Sequence, residues 1–139
     1  MIKELVTDEA LLSTPCEPAT VEDIAVATDL TDTLASLENA GCLAANQIGV
    51  TRALFAFEDE SGAVRVMANP KVLFGLGADK VEESCLTHEG ISRVTRYIKI
   101  KLSYDEFVDG ELRHRKGEFA GWEAQMIQHM ADHCAGKLV

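Results

Sequence analysis

The sequence predicts an α+β fold with an antiparallel or mixed sheet. Helical apolar spacing opens the chain, period-two stretches fill its middle, and a second helical stretch closes it. No regular β-α alternation joins them, which excludes a doubly wound parallel sheet. Hydrophobic residues make up 47% of the 139 positions and are spread along the chain, so residues 1–139 read as a single domain able to bury a substantial core.

Thr20 and Asp23 form a capping-box pattern, and Ile24, Ala27, Leu30, Leu34 and Leu37 follow at helical intervals. This predicts a helix over 20–38, ended by Asn39-Ala40-Gly41. The segment from Cys42 to Gly49 is short, rich in small residues and too tight for a helix. Ala53–Phe57 and Val64–Ala68 read as strands around a polar turn at Glu58–Gly62, the second stopped by Asn69-Pro70. Residues 82–87 read as a loop. Tyr97–Tyr104 then alternates as a half-buried strand, and Asp109-Gly110 turns it back into Glu111–Arg115. The last helix, about Glu118–Cys134, carries Trp122, Met126, His129, Met130 and His133 along one face, with Gly136 as its stop.

A formal charge of −10 argues against nucleic acid and against anionic membrane surfaces, both of which demand a basic face. No run of 18 apolar residues offers a membrane span, and the N-terminus lacks a signal-peptide core, so a cytoplasmic protein is expected. Four cysteines, none in a Cys-x-x-Cys pair, point to metal binding, reactivity or plain burial rather than disulfides.

His129 and His133 stand one helical turn apart, the spacing at which two imidazoles can hold one divalent ion. Both also lie on the apolar stripe, so spacing alone leaves buried core histidines as the alternative. Cys85 is the best thiol candidate for a third ligand, although in isolation it reads as inert. A Cys-His-His set would leave one tetrahedral position open, as catalytic sites do.

Three segments resemble the motifs of the peptide deformylases. Leu43-Ala44-Ala45-Asn46-Gln47-Ile48-Gly49 is similar to the first, commonly Gly-x-Gly-Leu-Ala-Ala-x-Gln. Glu83-Ser84-Cys85-Leu86-Thr87 is similar to Glu-Gly-Cys-Leu-Ser, and Gln128-His129-Met130-Ala131-Asp132-His133 to Gln-His-Glu-x-Asp-His. Val66–Pro70 also resembles the family's strand ending in Asn-Pro. The resemblance implies a peptide-deformylase-like fold, with sheets around a C-terminal metal-bearing helix. It implies hydrolysis of the N-formyl group from the N-terminal methionine of new bacterial or organellar proteins, by a monomer acting on formyl-Met peptides. The implied metal ligands are Cys85, His129 and His133, holding iron(II), or zinc, nickel or cobalt in its place. The side chain of Gln47 and the backbone N–H of Leu86 would stabilise the oxyanion formed during attack on the formyl carbon. Asp132 would pair with Arg96 or Arg93, and Glu83 would have a structural task.

The sequence departs from the pattern at several positions. Ala40 and Cys42 fall on the first motif's glycines, Ser84 on that of the second, and Thr87 replaces serine. The segment between Cys85 and Tyr97 is short, and the extra C-terminal helix that some members carry is not expected here, since the sequence ends at Val139. Met130 matters most, because it occupies the position of the glutamate that moves protons, and methionine can neither accept nor donate one. That loss costs ~10²–10⁴-fold in rate. The acid–base role could pass to a neighbour such as His88 or Glu89. Cys42 could close the coordination sphere as a fourth ligand or simply pack, Cys134 should point away from the metal, and Cys16 has no evident role. A non-catalytic protein that binds a metal or an N-terminal peptide is the alternative reading.

Overall fold

A computed structural model describes residues 1–139 apart from Asn39 and the side chains of His88 and Glu89. A short helix, α1 (Glu9–Leu12), precedes a 3₁₀ turn at Val21–Asp23 and the helix α2 (Ile24–Ser36). The predicted capping box forms: the Thr20 hydroxyl accepts from Glu22 N–H at 3.3 Å, and Asp23 accepts from Thr20 N–H at 2.9 Å. The expected stop of this helix falls partly on Asn39, outside the described residues.

Among the described residues five strands follow: β1 (Cys42–Ala44), β2 (Leu54–Glu58), β3 (Val64–Cys85), β4 (His88–Val108) and β5 (Glu111–Ala120), before the helix α3 (Gly121–Cys134). They pair in sequence order and always antiparallel, which resolves the expectation of an antiparallel or mixed sheet. Strand alternation then sorts the core. Phe55, Phe57 and Met67 face one side with Ala124, Ile127 and Met130 of α3. Leu54, Ala56 and Ala68 face the other side with Ala27, Leu30 and Leu34 of α2. The sheet therefore lies between the two helices, and α3 is held against it by its own apolar stripe.

Three local expectations are corrected. Asn69-Pro70 does not stop β3, which runs on to Cys85. Instead the pairing with β4 jumps from Ala68↔Asp105 to Lys71↔Ser103, with Asn69 in the left-handed region at φ 51°. Asparagine tolerates that conformation. Beyond Ala68 the strand has left β2, so the missing N–H of Pro70 costs no ladder bond on that side. The side chain of Asn69 anchors the bend by accepting from Ala19 N–H at 2.8 Å and donating to Asp105 at 2.8 Å.

The predicted loop around Cys85 is the second correction. Cys85 ends β3 and His88 begins β4, joined by Leu86-Thr87. The acidic run looked like a loop, but its side chains alternate: Glu82 is exposed and Glu83 is buried. Thirdly, Glu118–Ala120 belong to β5, and α3 starts only at Gly121 (φ 62°), which reverses the chain direction. Trp122 is 67% exposed at the cleft rather than on the buried face, although Ala124 in the same turn is fully buried. The Asp109-Gly110 hairpin holds, with both residues at positive φ as a type I′ turn requires.

Candidate metal centre

The centre lies where β1, the end of β3 and α3 meet. After β1 the chain tightens into a 3₁₀ turn, Ala45–Ile48, released by Gly49 at φ 91°. That turn buries Gln47, whose Oε1 accepts from Ala44 N–H at 2.9 Å. Its amide nitrogen is thereby aimed at the end of β3, donating to Thr87 Oγ1 at 3.0 Å and to Cys85 Sγ at 3.3 Å. His129 and His133 reach the same point from α3. Cys85 Sγ lies 3.3 Å from His133 Nε2, which lies 3.2 Å from His129 Nε2. All three donor atoms fall within 4.8 Å of one another.

This donor set fits a divalent ion. Bonds of about 2.3 Å to sulfur and 2.0–2.1 Å to nitrogen imply tetrahedral edges of about 3.3–3.6 Å, close to the separations seen. The electrostatics agree. Burial opposes ionisation of Cys85, but hydrogen bonds from His129 and His133 outweigh it and bring the thiol down to about 5. Burial also disfavours the charged form of His129, yet Cys85 and Glu83 raise it to about 9. Both shifts favour a thiolate at Cys85 and a proton on His129, and an ion held there would take the place of that proton.

A buried ionic chain supports the ligands from outside. Glu83 Oε1 holds His129 Nδ1 at 2.8 Å, fixing which ring nitrogen faces inward. Arg96 grips Glu83 through two bonds of 3.0 and 2.7 Å and reaches Asp132 at 2.7 Å. Gln125 adds a bond of 3.0 Å to Glu83. Burial alone would raise the Glu83 carboxyl, but His129, Arg96 and Gln125 together hold it at about 2. The expected pairing of Asp132 is therefore with Arg96, while Arg93 makes an exposed pair with Glu82 at 3.3 Å.

A cleft of about 360 Å³ opens beside His129 and Cys85, with Gln47, Cys42, Leu86, Trp122, Met126 and Met130 among its lining residues. Met130 is 1% exposed and packs into the core on the α3 side of the sheet. Cys42 borders the cleft but is not part of the ligand group. Burial, with Cys85 and Glu83 nearby, pushes its thiol up to about 12. Cys134 packs against the α3-side core, and Cys16 gives its backbone N–H to Cys134 O at 3.0 Å. The side chains of His88 and Glu89, considered as substitute acid–base groups, lie outside the described residues. Three polar contributors escaped the sequence reading: Asn46, Thr87 and Gln125. Gln125 had a usable signal, since it precedes His129 by one turn on the face that meets β3.

Fold and cluster together define a class, an α+β protein with a Cys-His-His cluster able to hold a divalent metal. The pattern of the Polypeptide deformylase family matches residues 2–139, and the chain belongs to that family. It is 38% identical over 140 residues to the peptide deformylase of Clostridium beijerinckii, the match covering 100% of both chains. With the peptide deformylase of Chlorobium phaeobacteroides it shares 36% identity over 116 residues, covering 76% of this chain but only 59% of that one. The crystal structure of the Thermus thermophilus peptide deformylase superposes with a TM-score of 0.85 at 29% identity, covering 99% of this chain and 83% of that one. The family is one of metal-dependent enzymes acting on N-formylmethionyl peptides.

Proposed function

We propose that this protein is a metal-dependent hydrolase of N-formylmethionyl peptides whose turnover is slow, because Met130 stands at the proton-handling position. The convergence of Cys85, His129 and His133 beside the Gln47 amide carries the reading. These three residues would hold the ion, iron(II) by family precedent or zinc, nickel or cobalt. When bound, it supplies the Lewis acidity that polarises a carbonyl and activates water.

The chain's own residues supply the rest. With its oxygen fixed by Ala44, Gln47 aims its amide N–H groups at Thr87 and Cys85 beside the cleft, where one would turn to the developing oxyanion, and the Leu86 N–H would be the second donor. One such donor is worth ~2.7–4 kcal/mol. Leu86, Met126 and Met130 give the cleft the apolar wall that a methionine side chain needs. Proton transfer is the weak link. Met130 has no proton to move, and Glu83 is ionised and already bound by three side chains. Protons must therefore exchange with solvent, at a cost of ~10²–10⁴-fold in rate.

Hydrolysis of formyl-Met-Ala-Ser by protein loaded with Fe²⁺, Ni²⁺ or Zn²⁺ tests the proposal, with slow but metal-dependent release of formate expected. The core packing of Met130 favours a second reading, a binder without turnover. Peptide binding by calorimetry with no formate release in either the wild type or Met130→Glu would establish that reading instead.

A further inference from the structure

Glu83 fixes the outward nitrogen of His129, but among the described residues the corresponding atom of His133 has no such partner. There His133 Nδ1 is buried without a hydrogen bond, and so is Asn46 Oδ1. Both residues are 1% exposed. They already touch, because Asn46 Nδ2 donates to the His133 carbonyl at 3.0 Å. Buried polar atoms are rarely left unpaired, since each such atom costs the full desolvation of its group.

The two orphans are complementary once His133 is a ligand. Its Nε2 faces Cys85 and His129, so a metal would need the lone pair there and the hydrogen would move to Nδ1. That hydrogen needs an acceptor, and Asn46 Oδ1 is an unused one on a side chain already docked to the same residue. We infer that Asn46 is the positioning residue for His133, accepting its Nδ1–H directly or through one buried water when the metal is bound. It would play for His133 the part that Glu83 plays for His129. The inference rests on the metal-site reading above. Asn46 lies at a variable position of the first motif, so no motif drew attention to it.

Zn²⁺ affinity measured by chelator competition is the first test. Asn46→Leu, which keeps the volume but removes the acceptor, should weaken affinity about 10- to 100-fold. Asn46→Asp, which restores an acceptor, should recover most of that loss. Nitrogen-15 NMR of the Zn²⁺-loaded wild type is independent of whether the variants fold, and should show His133 protonated at Nδ1 with the proton protected from exchange. Unchanged affinity in a folded Asn46→Leu, or a rapidly exchanging Nδ1 proton, overturns the inference alone. A wild type that takes up no Zn²⁺ removes the metal reading and this inference with it.

Discussion

The two sides of α3 around the histidines have very different chemistry. One side faces β3 and β4, where Asp132, Arg96, Glu83 and Gln125 form a closed, buried ionic chain ending on His129. The neighbouring flank carries Met126 and Met130, which add apolar surface to the cleft beside Cys42 and Leu86. On the proposed reading the first would hold the ligands in place and the second is where protons would have to move. The contrast then teaches that holding a metal and using it are separable, because they depend on different flanks of one helix.

Changes to these faces should therefore have different consequences. Giving the cleft face a carboxylate has the largest expected effect. Met130→Glu should raise formyl-Met peptide turnover by ~10²–10⁴-fold in metal-loaded protein, read from initial rates of formate release. No gain over a weak parent would mean that proton transfer does not limit this protein. On the ionic face, Arg96→Met leaves the buried Glu83 and the half-buried Asp132 without their cation. Urea denaturation should show a loss of about 3–5 kcal/mol.

Glu83→Gln is milder. It keeps the shape but loses the charge that orients His129, and metal affinity should fall by about 10- to 100-fold. The same variant checks the acid limb of stability. The carboxyl of Glu83 sits at about 2 in the folded protein, below the ordinary value of about 4.3. Its contribution is complete above pH of about 4.3 and disappears as pH falls through about 2. Melting temperatures between pH 6 and 2 should fall less steeply in Glu83→Gln than in the wild type. The smallest effect is expected from Met130→Leu, a volume-conserving change in the core that costs under ~1.5 kcal/mol and leaves turnover unaltered. A large fall in turnover there would give the sulfur a role that packing does not explain.

Much of this was legible in the residues because it was local. The capping box at Thr20, the type I′ pair Asp109-Gly110 and the stop at Gly136 each depend on a few neighbouring positions. Asn69-Pro70 and the acidic run before Cys85 misled for the same reason. Read locally they are breakers, but a long antiparallel ribbon absorbs the first as a bulge and turns the second into alternating inner and outer side chains. Trp122 misled because helical periodicity does not reveal where a cleft opens beside a helix.

The sequence alone determined the class of fold, the Cys-His-His set of candidate ligands with its helical spacing, and the apolar residue at position 130, since these follow from residue identity and short-range geometry. Tertiary structure decided that Arg96 rather than Arg93 meets Asp132. It also decided that Glu83 is fully committed to His129 and Arg96, and that Gln47 is turned by Ala44 toward Cys85. Those choices link residues far apart in the chain, and only the packing of α3 on the sheet brings them within hydrogen-bond reach.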